Sequence, residues 1–178
     1  KFDRVFEEVS LFGLHTVNVT SSDSLSGVDT TLLANDPANF QVFAVRDEPR
    51  SRNVYFKLIS SVHPYPIPDI TSSLFLDAYD DSKWNISVRI KPKDYPNAGR
   101  VAGSLFNTYD VIFRGVNTEL GVVKNYFEVS SSITNQSGSD FVSAPKRIYV
   151  GARRQNITGN VLQNSDVLAL DTRYWAKF

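Results

Sequence analysis

The stretch Trp84–Lys91, WNISVRIK, alternates without a break. Trp84, Ile86, Val88 and Ile90 fall on one side of an extended chain; Asn85, Ser87, Arg89 and Lys91 fall on the other. Successive side chains of a strand point to opposite faces, so this reads as a strand with one face in a core and the other toward water. Much of the surrounding chain keeps the same two-residue period.

Upstream, Phe40–Asp47 and Val54–Ser60 flank a polar turn, Glu48–Asn53, and read as a hairpin. Leu11–Thr20 alternates as another strand. Lys1–Ser10 carries Phe2, Val5, Phe6 and Val9, a spacing that fits two helical turns or a lead-in segment packing aromatics on a sheet. Ser21–Ala38 is a Ser/Asp/Thr/Asn-rich surface segment, and the three prolines of His63–Pro68 mark a crossing loop or an edge. Asp80–Lys83 reads as the turn before the central strand.

Downstream, Pro92–Gly103 is a Pro/Gly loop. Leu105–Arg114 is a strand, Arg114–Thr118 a Gly-containing turn and Glu119–Ser131 the return. Asn135–Asp140, NQSGSD, reads as a loop. The closing stretch offers a short strand, Ile148–Val150, ended by Gly151. Two more apolar pieces come next, Ile157–Leu162 around Gly159 and Val167–Leu170, then Tyr174-Trp175. Ile148, Val150, Val161, Val167 and Leu170 are expected to fill a core.

About ten strand candidates and no convincing internal helix make this an all-β chain, expected as an antiparallel two-sheet jelly-roll sandwich. The 178 residues suit one domain over 1–178, with residues 1–12 as the lead-in. Residue 1 is Lys and Met is absent, so the chain is expected to be part of a longer one.

Composition removes several function classes. Lys+Arg and Asp+Glu both number 19, which speaks against nucleic acid as the main partner. No apolar run nears the ~18 residues that suggest a membrane span. Without Cys there is no disulfide and no thiolate metal site. The only histidines, His15 and His63, lack a ligand pattern around them. Glu7-Glu8 would point to opposite faces of a strand, Glu119 and Glu128 are far apart in sequence, and neither pair forms the carboxylate couple of a glycosidase. No G-x-S-x-G occurs. The expectation is a protein that is not an enzyme and has no cofactor, with calcium as the one ion to consider.

Three stretches resemble laminin-G-like domains of the concanavalin A type. Asp81–Val88 is similar to that family's D-x-x-W lead-in to a central strand, with Trp84 as core anchor. Tyr109–Val116 is similar to its strand and Gly turn, with Arg114 where an Asp is usual. The closing stretch resembles its final strands: a strand ending in Gly151, a hydrophobic-x-Gly-x-hydrophobic piece and a last core strand. The run YVGARRQNITG followed by SDV and RYW also resembles domains in large structural proteins of tailed bacteriophages and other virions.

The resemblance implies a concanavalin A-like jelly roll acting as a structural or interaction module of a virion or extracellular surface protein. It would contact neighbouring proteins or host glycans within an oligomeric assembly. The alternative is a carbohydrate-binding, lectin-like domain. Tyr65, Tyr95, Asn97, Arg153, Arg154 and Asn156 are the candidate contact residues. Some members of this fold bind calcium at loops on the sandwich edge, which makes Asp77, Asp80 and Asp81 candidate ligands; calcium wants six to eight hard oxygens. The sequons at Asn18, Asn85, Asn135 and Asn156 matter only in a secreted eukaryotic setting, where Asn135 would be the best acceptor.

Overall fold

The computed structural model describes residues 8–16, 38–60, 67–79, 82–93, 108–154, 161–162, 165 and 167–175. Over these residues the chain is mostly β, with two main antiparallel sheets and one short helix.

The first sheet holds β1 (Glu8–Thr16), β2 (Ala38–Arg46), β3 (Val54–Ile59), β4 (Ile70–Thr71) and β8 (Lys146–Val150) in the order β4-β3-β2-β1-β8. The expected hairpin is there: β2 pairs with β3 from Gln41↔Ile59 to Arg46↔Val54. Phe40, Val42 and Ala44 of β2 face the core with Val54, Phe56 and Leu58 of β3. Phe43 and Val45 are buried on the opposite face with Tyr55 and Ile59 against them. A strand enclosed on both faces reads as a nearly unbroken apolar run, which is why FQVFAV shows so little polarity.

The second sheet holds β5 (Trp84–Pro92), β6 (Thr108–Glu119) and β7 (Val122–Thr134) in the order β5-β6-β7. Along β5 burial alternates as the sequence predicts, with Asn85, Ser87 and Arg89 exposed. Ile90, Tyr109, Val111, Phe113, Phe127 and Ile133 of this sheet join the same core as the first sheet's inner face. Aromatic rings stitch the two together: Phe56 stacks on Phe127 at 5.5 Å, and Trp84 lies 4.8 Å from Phe56 and 4.9 Å from Phe75. Neither sheet closes on itself.

Three segments differ from the sequence expectation. The expected turn at Arg114–Thr118 is the middle of β6. Gly115 is needed there for space, because a Cβ would overlap the Phe127 ring. The chain reverses later, at Leu120 (φ 50°) and Gly121 (φ 80°), a two-residue connection with both φ values positive, as a type I′ turn requires.

The expected loop at Asn135–Asp140 is part of a helix, α1 (Asn135–Ser143). Thr134 caps it, its hydroxyl accepting from the Ser137 N–H at 3.2 Å. Two residues then bury the helix: Gly138 against the Tyr109 ring and Phe141 stacked on Phe40 at 6.2 Å. Lys146 closes the far end, its ammonium donating to the Ala144 carbonyl at 2.8 Å and lying 4.8 Å from the centre of the Phe141 ring.

The closing stretch is the third. Its first strand, β8, forms as expected, and Gly151 ends it at φ 75° while donating to the Leu11 carbonyl at 2.7 Å. The described apolar side chains beyond Gly151, Val161 and those of Val167–Leu170, do not fill a core. β9 (Arg153–Arg154) and β10 (Val161–Leu162) pair as a small ribbon apart from both main sheets. Val167–Leu170 is not a strand. Ile148, Val150, Val161, Val167 and Leu170 are all exposed. The reason is position: β8 is the outermost strand of its sheet, and the chain leaves that edge at Gly151. Gly159 lies outside the described residues.

Candidate functional site

The outer face of the three-stranded sheet is built by register. Directly opposed residues share a face, so Ser87, Arg114 and Glu128 form one cross-strand row. Asn85, Val116 and Tyr126 form the next; Arg89, Ile112 and Ser130 lie on the other side, followed by Lys91, Asp110 and Ser132. The result is a largely hydrophilic surface with one aromatic ring among the rows just given, Tyr126, 50% exposed. The Arg114 guanidinium lies 5.2 Å from the centre of that ring. The Tyr126 hydroxyl donates to the Glu128 carboxylate at 3.1 Å. Partial desolvation, then the Glu128 carboxylate, push the Tyr126 phenol above its ordinary value. Ser132 donates to Asp110 at 3.3 Å.

A second surface is apolar. Leu120, at the β6–β7 turn, is 98% exposed, and Val122 and Val123 beside it are exposed too. The Glu119–Lys124 ion pair at 3.2 Å brackets the tip. Leu168 (88% exposed), Leu170 (76%), Tyr174 and Trp175 (71%) are exposed on either side of the Asp171–Arg173 ion pair at 2.8 Å.

A third cluster holds groups that do chemistry elsewhere: Ser10, His15 and Gln41, all buried on the face of the first sheet away from the core. The Gln41 amide nitrogen donates to the Ser10 hydroxyl at 2.6 Å, so its carbonyl accepts from His15 Nε2 at 2.8 Å. The His15 ring also meets Tyr149 edge-on at 4.8 Å. Serine and histidine are joined through an amide rather than directly, so this is not a base poised on a nucleophile. It is a buried polar tie in which each partner satisfies the next. Gly13 makes it possible, because a Cβ there would strike the Gln41 side chain.

Of the contact residues expected from sequence, Arg153 and Arg154 form β9, opposite Leu162 and Val161. Tyr65, Tyr95, Asn97 and Asn156 lie outside the described residues. Of the candidate calcium ligands, Asp80 and Asp81 also lie outside them. Asp77 stands at a turn with φ 53°, its N–H donating to Asn53 Oδ1 at 3.2 Å. The same Asn53 donates to Asp47 at 3.0 Å, and hydrogen bonds from Ser51 and Asn53 hold the Asp47 carboxyl below its ordinary value. Among the described residues no group of three or more His, Cys, Asp or Glu could hold a metal ion. No helix among them is long and apolar enough to cross a membrane.

The sequence reading overlooked Arg114, Tyr126 and Leu120. A signal for the first two was available: continuing the alternation from Phe113 through Gly115 puts Arg114 outside, and the matching return puts Tyr126 beside it. The signal for Leu120 was the dipeptide Leu-Gly between two alternating runs. No family model, curated protein or solved structure matches the chain.

Proposed function

We propose that this chain is a non-enzymatic contact module of a larger virion or extracellular surface protein, folded as a concanavalin A-like jelly roll and working in an oligomeric assembly. Leu120 carries the reading. A type I′ turn favours Gly, Asn or Asp at its first central position, because an L-residue with a Cβ is strained at positive φ. Here that position holds a leucine at φ 50°, 98% exposed. The strain and the exposed apolar surface both work against the isolated fold, and no contact among the described residues offsets them. A neighbour that buries Leu120 would. The exposed Val122 and Val123 enlarge the knob, and the exposed side chains of Leu168, Leu170, Tyr174 and Trp175 offer apolar contacts for it on an adjoining copy. Zero net charge leaves such copies without long-range repulsion.

Sedimentation velocity tests this. The purified chain is expected to associate as its concentration rises, and Leu120→Gly to weaken that association about tenfold while the fold persists, as loss of a central apolar anchor does. A chain that stays monomeric throughout, or a variant that associates as well as the original, would sink the proposal.

A further inference from the structure

Two sets of exposed apolar side chains differ in build, and each lies beside an exposed ion pair. The first is the β6–β7 turn, where Leu120, Val122 and Val123 are exposed next to Glu119 and Lys124, paired at 3.2 Å. The second falls in residues 167–175, which form no regular structure. There Leu168, Leu170, Tyr174 and Trp175 are exposed around Asp171 and Arg173, paired at 2.8 Å. Tip against tip, two β6–β7 turns would bring together only a few aliphatic side chains, far short of the roughly 800 Å² per partner that a stable interface buries. The second set adds two large rings, and each aromatic side chain can bury about 150–250 Å². Each set also carries one acid and one base. Exposed pairs of this kind contribute little, so exchanging partners between copies costs little.

We infer that copies of this chain join head to tail: the Leu120 turn of one copy seats on Leu168, Leu170, Tyr174 and Trp175 of the next. The inference rests on the contact role proposed for Leu120 and adds the direction of assembly. Glu119 exchanges Lys124 for Arg173 of the next copy, and Lys124 exchanges Glu119 for its Asp171. Such pairs fix the orientation of a contact more than its strength, while Tyr and Trp are among the residue types that carry binding energy. Turn and seat are different surfaces, so the contact is heterologous. A copy bound through its turn still offers its seat. Association therefore continues past two copies, until a ring closes or a filament grows. A self-complementary contact about a two-fold axis would stop at two.

Sedimentation velocity on mixtures of complementary variants tests the inference. Leu120→Gly lacks the turn's leucine and keeps the seat; the double variant Leu168→Ser/Trp175→Ser lacks the seat and keeps the turn. Each alone is expected to associate about tenfold more weakly than the original, or weaker still. Mixed one to one, they are expected to form a complex of two chains that does not grow, whereas the original grows past two copies as its concentration rises. All three positions are exposed, so neither variant should melt below the original, and a loss of association reports the contact and not the fold. A seat variant that associates as well as the original, a mixture that stays monomeric, or an original that stops at two copies would each overturn head-to-tail joining. If Leu120→Gly still weakens association in those cases, the contact role of Leu120 stands without it; an original that never associates overturns both.

Discussion

Gly115 lies directly across the β6–β7 ladder from Phe127, and the Phe127 ring occupies the space a Gly115 side chain would need. Phe127 is the hub of the aromatic core, within 6.5 Å, centroid to centroid, of Phe56, Phe75, Trp84 and Phe113. The ring therefore has little freedom to move aside. Gly115→Ala is expected to destabilise the protein by about 1–3 kcal/mol, the usual cost of overpacking a filled core. Urea denaturation measures it as a fall in the midpoint. An unchanged midpoint would mean that the ring relocates freely and that the core is looser than its geometry implies.

Trp84 begins β5, which was expected as a central strand and is instead an edge strand of its sheet with β6 at the centre, and its ring packs into the same cluster. Its ring contacts Phe56, Phe75 and Phe127, and its indole N–H donates to Ser82 at 3.2 Å. Trp84→Ala is expected to cost roughly 3–5 kcal/mol, as truncating a large core aromatic does. Calorimetry should show a lower melting temperature. Melting like that of the original chain would contradict the placement of Trp84 as the anchor between the sheets.

How far the sequence revealed this fold depended on which force set each segment. Where one face met the core and the other met water, as in Trp84–Lys91, alternation was enough; in the β2–β3 hairpin, two apolar runs around a polar turn sufficed. Sequence patterns failed where a residue's local preference was overruled by packing. Gly115 looks like a turn former and is a gap for a ring; NQSGSD looks like a loop and becomes helical because Phe141, just beyond it, reaches Phe40. The closing run Val167–Leu170 failed for the opposite reason. Its apolar residues suggested burial, and nothing in sequence reveals that a strand edge leaves them uncovered. The candidate surface was half legible: alternation placed Arg89 outward, but Tyr126 joins it only once the register of β7 is known.

Thr134 is the last residue of β7 and the cap of α1. Its hydroxyl oxygen satisfies the Ser137 N–H, one of the donors a helix start leaves without a partner. Thr134→Ala is expected to destabilise by about 1 kcal/mol, and Thr134→Ser to be close to neutral. Hydrogen exchange should show faster exchange through Asn135–Ser143 in the Ala variant alone. Equal protection in both variants would mean that Phe141 holds the helix without the cap.

The Tyr126 phenol titrates above the ordinary tyrosine value, through partial desolvation first and the Glu128 carboxylate second. The folded protein therefore favours the neutral phenol. The resulting stability is fully present below the unfolded value of about 10 and is lost as pH rises through the higher folded value. Glu128→Gln removes the charge that opposes the phenolate, so Tyr126 should titrate closer to the ordinary value while desolvation keeps it from returning fully. Ultraviolet difference titration, with Tyr126→Phe as the blank among eight tyrosines, resolves the group. A Tyr126 that ionises at the same pH with and without Glu128 would show that the hydrogen bond does not persist in solution.

Leu120 separates stability from association more cleanly than any other position. In the isolated fold its side chain is 98% exposed, so removing it forfeits almost no packing. Its φ of 50° carries a Cβ penalty that glycine does not have. Leu120→Gly should therefore stabilise the monomer by about 1 kcal/mol, and Leu120→Asn, which tolerates the left-handed region, by less. Leu120→Val, β-branched and ill-suited to positive φ, should destabilise it. If the tip is a contact point, the order of association is different: Leu strongest, Gly and Asn both weak. Denaturation midpoints and sedimentation of the same four proteins give the two orders side by side. Opposed orders mean that the leucine is kept for what it touches outside the fold; if Gly and Asn weaken both measurements together, Leu120 instead has a structural role that its exposure hides.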